Sequence, residues 1–166
     1  MTCDEVERPE LRPEAGWSEL SVPAELGFRP TFVTGQEDTD RLRVRYYLRG
    51  DDGRVVGKAW FGPGAQGPPG HAHGGSISAL LDEAMGLACW VAGHFVVAAR
   101  LTISFLEMVP LGREVQFEAW VSRVDGKKVL TQSRLVAADG TKFGKGSGLF
   151  IVVDDDRFRQ FMTKTT

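Results

Sequence analysis

Two acidic side chains, Asp82 and Glu83, interrupt a stretch of the chain that otherwise consists of apolar or small residues. Moving an ionised carboxylate out of water is costly unless it is paired, hydrogen-bonded or placed at a wet cleft. A carboxylate kept in such a place can act as a general base or as a nucleophile, and Asp82 is the stronger candidate. The structural alternative is that the surrounding element turns one of the two toward solvent, and Glu83 could be that residue.

The segment from Ile77 to about Val91 is predicted to be a helix, because it has almost no strand signals. A helix that is apolar all round must be enclosed rather than lie on a surface. The small residues around Asp82 leave room for a ligand, and we expect Ser78 and Met85 to contact it. At helical spacing, Asp82 shares its face with Ser78, Met85, Gly86 and Cys89.

The same helix is entered through the segment His73-Gly74-Gly75-Ser76. The first amides of a helix lack internal partners, so they can hold an anion or a developing oxyanion, and glycines let a ligand come close. A plain turn to which Ser76 contributes a cap is the alternative. Gly75 and Asp82 are separated by roughly 10 Å along the helix axis. One helix therefore cannot comfortably place both at one carbonyl, whereas two antiparallel helices from two subunits can.

The chain has three histidines, and none of them indicates a metal site. A zinc site needs three or four ligands, and the pair His71 and His73 has no third His or Cys in a supporting motif. His73 is predicted to orient the loop by hydrogen bonding. His94 is predicted to be a structural, polar group at the end of the helix.

Length and composition are those of one globular domain, with 166 residues of which 42% are hydrophobic and 25% charged. The formal charge of −2 gives no basic field for nucleic acid or an anionic bilayer. We expect neither a signal peptide nor a membrane span, since no apolar run is suitable. Cys3 and Cys89 suggest no disulfide framework, so a reducing, cytoplasmic setting is expected.

Alternating apolar and polar residues predict strands on both sides of the helix. In the last strand, Gly144, Gly146 and Gly148 recur at every second position, so a helix or a partner subunit must approach the backbone there. Two strands precede the helix, and four follow it: 41–48, 54–61, 101–105, 115–122, 129–137 and 142–153.

This order predicts an α+β fold in which an antiparallel sheet of about five to six strands wraps around one long buried helix. The domain is expected to span 29–153. An N-terminal arm, 1–28, is predicted to be poorly ordered or to hold a short helix near Ala24, and 154–166 to form an acidic, polar tail. An open sheet edge favours pairing with a second copy, so a homodimer is expected, and pairing of dimers into tetramers is left open.

The motifs that carry the chemistry resemble those of one enzyme family. The string Gly67–Ser76, the triplet Leu81-Asp82-Glu83 and the strand Leu101–Phe105 with Pro110 resemble the PaaI-like hotdog thioesterases. The likeness is greatest to their mammalian acyl-CoA thioesterase branch, the thioesterase superfamily members. It covers residues from about 46 to 153 and leaves the N-terminal arm out.

The resemblance implies a hotdog fold and hydrolysis of an acyl-CoA thioester to a free acid and CoA, without metal or redox cofactor. It implies that the Gly74 N–H donates to the thioester carbonyl, within the segment that includes His73 and Gly75. It also implies that Asp82 acts from the opposing subunit, either by activating water or by direct attack. A preorganised amide at the developing oxyanion is a physically reasonable stabiliser.

The sequence departs from the family at one position and leaves another open. Many relatives have Thr or Ser where this chain has Ala98, so the positioning of water is expected to be weaker or supplied otherwise. Lys127 and Lys128 match a turn where relatives contact the CoA moiety, although a solvated hairpin is an equally good explanation.

Two alternatives to a thioesterase remain at this point. A non-catalytic acyl-CoA-binding or regulatory module is compatible with the missing hydroxyl at Ala98. A hotdog dehydratase is suggested faintly by Gly93-His94-Phe95, but the prolines that follow the tripeptide in those enzymes are absent. The sequence does not determine the preferred acyl chain, or whether the acyl donor is CoA or a carrier protein.

Overall fold

The computed structural model of the protein describes residues 8–20, 31–34, 38–154 and 156. The predicted short helix near Ala24 lies outside these residues. Within the described residues, seven strands form one antiparallel sheet, and one long α-helix packs against it. This is the predicted hotdog arrangement.

The first three strands form the half of the sheet that precedes the helix. β1 spans Trp17–Glu19, β2 spans Leu42–Arg49 and β3 spans Val55–Phe61. The turn at 50–53 joins β2 to β3 as expected, and every residue of β3 is buried. β1 pairs with β2 and was not predicted, which makes the strand count seven rather than five to six.

The helix α1 spans Gly74–Val91 and begins three residues earlier than predicted. It packs against β3, β4, β5, β6 and β7, so the sheet curves around it. Its core-facing side chains repeat at intervals of three and four, which is the spacing of one helical face. The buried residues of α1 are Ile77, Leu80, Leu81, Ala84, Met85, Ala88 and Cys89.

Four strands follow the helix, as predicted. They are β4 (Val96–Phe105), β5 (Glu114–Asp125), β6 (Lys128–Val136) and β7 (Lys142–Val152). The order across the sheet is β1-β2-β3-β5-β6-β7-β4. The long strand β4 is therefore an edge strand, with one side free to pair with another chain.

Side chains of the neighbouring strands lie closest to the middle of the glycine row in β7. A methyl group at Gly146 would lie 2.5 Å from Ser133 Oγ and 2.9 Å from Ile103 Cδ1, and 3.4 Å from Met85 Cε. Met85 projects from α1, so the helix of the same chain also reaches this position, at an ordinary contact distance. The close approach predicted at Gly146 is therefore made first by the adjacent strands and second by the helix.

Candidate active site

The amino end of α1 is capped by a histidine. His73 is the N-cap residue, and its Nδ1 accepts a hydrogen bond of 2.9 Å from the Gly75 N–H. Ser76 instead donates its hydroxyl to the His73 carbonyl oxygen at 2.7 Å. His73 thus orients the loop as predicted, and it does so by occupying the amide of Gly75. The predicted part of Gly75 in holding an oxyanion stays a prediction.

The Gly74 N–H is the amide at this terminus that remains available. It donates no hydrogen bond to any residue of the described part of the chain. Gly74 lines a cavity of about 270 Å³ together with Phe105, Leu106 and Met108. Phe105 and Met108 are 55% and 61% exposed, which is unusual for side chains of this size. The cavity therefore combines a free helix-terminal donor with an apolar, uncovered rim.

Asp82 lines a second cavity, which is separate from the one that Gly74 lines. This cavity measures about 300 Å³, and Asp82 lines it with Gly86, Trp90 and Ala98. The carboxylate is partly buried, and no described residue donates a hydrogen bond to it or forms an ion pair with it. Loss of hydration raises the pKa of Asp82 above its ordinary value. A partly desolvated carboxylate without partners is well suited to accept a proton.

Glu83, the adjacent residue, has a structural environment. Its carboxylate accepts hydrogen bonds from Thr31 Oγ1 at 2.7 Å and from the Tyr46 hydroxyl at 3.0 Å. Burial raises the pKa of Glu83, and these two hydrogen bonds partly oppose that effect by stabilising its charge. The expectation that Glu83 could be the residue facing solvent is wrong, because both of its oxygens are bound by groups distant in sequence.

His94 lies at the carboxyl end of α1, as predicted, and it also lines the Asp82 cavity. The C-cap of α1 is Ala92, and His94 N–H donates to the Cys89 carbonyl oxygen at 2.9 Å, which caps the last turn of the helix. Its side chain lines the cavity that contains Asp82. The place of the side chain in that cavity was not predicted, because it depends on how the chain turns after the helix.

Ala98 also lines the Asp82 cavity, from the edge strand β4. A Thr or Ser at this position would present a hydroxyl to the same space. The lining of the cavity contains no hydroxyl-bearing side chain among the described residues. A water molecule beside Asp82 therefore has one polar anchor fewer than the family pattern implies.

Gly74 and Asp82 face different cavities of one protomer. They are about 12 Å apart along the helix axis, and Gly74 does not line the Asp82 cavity. Apolar side chains on and beside β4 remain uncovered in the single chain, Val97 being 56% exposed. One chain by itself therefore does not bring the amide and the carboxylate together.

The remaining predicted site residues lie in three places. Ser78 is partly buried, one helical turn before Asp82. Met85 is 0% exposed and packs in the core, so it does not line the Asp82 cavity. Lys127 and Lys128 are exposed in the β5–β6 hairpin, where Lys127 Nζ lies 3.0 Å from Asp154 Oδ1. Contacts of these four residues with a substrate stay predictions.

Two further properties concern the described residues only. No group of three or more His, Cys, Asp or Glu side chains is placed to hold a metal ion in that part of the chain. None of its helices combines the length and the apolar character that crossing a lipid bilayer requires.

The Nδ1 of His71 is hydrogen-bonded to the Pro69 carbonyl oxygen at 2.9 Å, so this histidine fixes the loop.

Comparison with known proteins places this geometry in a family. The model of the thioesterase superfamily matches residues 69–143. Acyl-coenzyme A thioesterase THEM4 of Bos taurus is 31% identical over 127 residues, which are 76% of this chain and 52% of the relative. The chain thus spans about half the length of that relative.

Solved structures agree. A thioesterase superfamily protein is 34% identical with a TM-score of 0.61, over 65% of this chain and 53% of the other. A hypothetical thioesterase of Streptococcus pneumoniae, crystallised with coenzyme A, has the same fold at 20% identity, with a TM-score of 0.62 over 67% and 86% of the two chains.

The PaaI protein of Escherichia coli also has this fold, at 20% identity and a TM-score of 0.60 over 68% of this chain and 80% of PaaI. The enclosed helix and the sheet around it are thus features of these structures as well. The predicted resemblance to the hotdog-fold thioesterases is confirmed by the match to the superfamily model, by the relative and by the shared fold.

Proposed function

We propose that the chain hydrolyses acyl-CoA thioesters to a free acid and CoA. The observation that carries this proposal is the Asp82 carboxylate, which is partly buried in an otherwise largely apolar cavity and has no hydrogen-bond donor among the described residues. Folding leaves such a group uncompensated at a cost in stability, which is typical of a catalytic position.

The second part of the site is the Gly74 N–H. It lies at the positive end of α1, where an oxyanion is favoured, and Gly74 lines a cavity with an uncovered apolar rim. Since Gly74 and Asp82 face different cavities, we propose that each active site combines the Gly74 of one protomer with the Asp82 of its partner. The free edge of β4 and the exposed Val97 favour a homodimer built along that strand.

The reaction then needs only groups of this chain, water and substrate. Water attacks the thioester carbonyl carbon while Asp82 takes its proton, and the Gly74 N–H stabilises the oxyanion that forms. The intermediate collapses with cleavage of the C–S bond, and the proton passes from Asp82 to the departing thiolate. Direct attack by Asp82, followed by hydrolysis of the mixed anhydride, gives the same products.

The comparisons support this choice of substrate. The bovine relative is named an acyl-coenzyme A thioesterase, and the streptococcal structure with the same fold was crystallised with coenzyme A. The proposed substrate is therefore acyl-CoA. From the sequence we also propose that the reaction uses no metal or redox cofactor, and that the protein acts in a reducing, cytoplasmic setting. The buried Cys89, whose pKa burial raises to about 12, is unreactive and compatible with such a setting.

A mixture of two inactive variants tests the site and its assembly together. Gly74→Pro removes the amide proton at the first helical position, where proline is tolerated, and His73 already has the extended conformation that precedes proline. Asp82→Asn removes the base. We expect each variant alone to release CoA thiol from acyl-CoA at least about 100-fold more slowly than the parent.

Co-refolding the two variants should restore activity, because a mixed dimer contains one site with both an intact Gly74 and an intact Asp82. Gly74→Ala, which keeps the amide proton, is the control for the added bulk near Phe105. Full activity of Asp82→Asn would refute the catalytic assignment. Two inactive variants that never complement each other would refute the shared site.

The second candidate function is a non-catalytic acyl-CoA-binding module. It is favoured by Ala98, because the Asp82 cavity lacks the hydroxyl that would help to hold water. Calorimetric titration with acyl-CoA, beside the thiol-release assay, separates the two. Tight binding without thiol release in the parent protein identifies the module.

A further inference from the structure

The Asp82 cavity continues along α1, away from the carboxylate. Gly86 and Trp90 follow Asp82 at intervals of four residues and line the same cavity, so the groove runs parallel to the helix axis. Gly86 leaves space in its middle, since a methyl group there would meet only Phe150, at 3.8 Å. A groove that starts at the proposed base and follows the helix is positioned to hold the acyl group of a substrate.

Most of the groove is apolar, but its far end is not. Its walls are formed by Trp90, Phe95, Val96 and Phe150, and His94 lies at the end distant from Asp82. The structure gives the His94 imidazole no hydrogen bond to another described residue. A partly buried imidazole without a partner favours a ligand that supplies one, because an alkyl end would leave the imidazole unsatisfied.

The two ends of the groove differ in charge. Asp82 and Glu83 lie at the near end, and no other acidic side chain lines the cavity among the described residues. A carboxylate on the substrate is repelled at that end, whereas the imidazole can donate a hydrogen bond to it at the other. The arrangement suits an acyl group that is apolar along its length and carries an oxygen function at its tip.

We propose that His94 is a specificity-determining residue that binds the hydroxyl or carboxylate oxygen at the distal end of an ω-oxygenated acyl group. This inference rests on the proposed function, since it names the substrate class of that site. Asp82 and Trp90 are about 12 Å apart along the helix axis. An extended chain advances about 1.2 Å per atom, so about ten atoms reach from the thioester carbonyl to His94.

Three substrates of equal chain length test the inference with the full chain. They are octanoyl-CoA, its ω-hydroxy derivative and the mono-CoA thioester of octanedioic acid. For each, kcat/KM is measured with the parent, with His94→Leu and with His94→Gln, which can still form hydrogen bonds. We expect the parent to favour the hydroxy substrate over octanoyl-CoA by about 2- to 10-fold, and the carboxylate by about 10- to 100-fold.

The expected result is that His94→Leu brings both selectivity ratios close to one, and that His94→Gln retains the preference for the hydroxy substrate. The relative size of the two preferences identifies the natural tip as hydroxyl or carboxylate. A parent without preference, or a ratio that His94→Leu does not change, overturns the inference and leaves the thioesterase proposal intact.

If no substrate is hydrolysed, binding measurements still test the inference about His94 separately from the proposed thioesterase activity. Dissociation constants for the same three compounds, measured by calorimetry with the parent and both His94 variants, report the groove without requiring turnover. A preference lost in His94→Leu then supports the groove in the binding module, and equal constants in all three proteins overturn it. Thermal unfolding of each variant checks that it is folded.

Discussion

Asp82 and Glu83 are neighbours in sequence and line the same cavity, yet the hydrogen bonding of their carboxylates differs. Both oxygens of the Glu83 carboxylate are hydrogen-bonded, one by Thr31 and one by Tyr46. The Asp82 carboxylate receives no hydrogen bond from any described residue. The pKa of each carboxyl is raised by burial, but only Glu83 has partners that compensate.

Burial alone therefore does not identify a catalytic carboxylate. A buried carboxylate with partners strengthens packing between elements, whereas one without partners keeps its lone pairs for a ligand.

Amide substitutions at the two carboxylates should affect activity very differently. Asp82→Asn is expected to lower kcat by about 100- to 10,000-fold, because it removes the proton acceptor. Glu83→Gln, which keeps one acceptor oxygen and can donate from its amide to the second hydroxyl oxygen, is expected to lower it by less than about tenfold, or about 1.4 kcal/mol. Thiol release from acyl-CoA measures both. Asp51→Asn, in the exposed β2–β3 turn, is the matched control.

Equal losses in Asp82→Asn and Glu83→Gln would contradict the division of roles between the two carboxylates. They would show instead that the acidic pair acts as a unit.

The hydrogen bond between Tyr46 and Glu83 should contribute more to the stability of the protein than a comparable bond to a neutral group. Tyr46→Phe removes a hydrogen bond to the partly buried Glu83 carboxylate and is expected to lower the free energy of unfolding by about 1.5–3 kcal/mol. Tyr47→Phe is the matched comparison, since the Tyr47 hydroxyl donates to the neutral carbonyl oxygen of Leu11 at 2.7 Å. We expect that variant to lose about 0.5–1.5 kcal/mol. Denaturant unfolding measures both, and a smaller loss for Tyr46→Phe would contradict the assignment.

Removing the Asp82 charge should have the opposite effect and increase the stability of the protein at neutral pH. The folded-state pKa of Asp82 is raised, because burial favours the protonated carboxyl group over the charged one. The stability gained from the protonated group is present below the unfolded pKa and is lost as pH rises through the folded pKa. Asp82→Asn should therefore stabilise the protein at neutral pH and not at acid pH. The expected result is a higher Tm for Asp82→Asn than for the parent at pH 7 and no such increase at acid pH. Calorimetry at pH 7 and pH 3.5 provides the test, and a lower Tm at pH 7 would refute it.

Much of the site follows from local sequence. Asp82, the Gly74 entry to the helix and the enclosed helix were predicted because each depends on residues close together in the chain, where composition and spacing are informative. The strands from β2 to β7 were predicted for the same reason, although β4 begins at Val96, before its clear alternation. The terminal strand β1 was missed, since three residues give too short a pattern.

Which groups meet across the fold was decided by tertiary structure. The hydrogen bond from Thr31 to Glu83 joins residues 52 positions apart, and the place of β4 at the sheet edge follows from pairing with β7 rather than from chain order. The position of His94 in the Asp82 cavity likewise depends on how the chain turns after α1. Sequence periodicity determines which face of an element is apolar, but the partner of that face is chosen by packing of the whole domain.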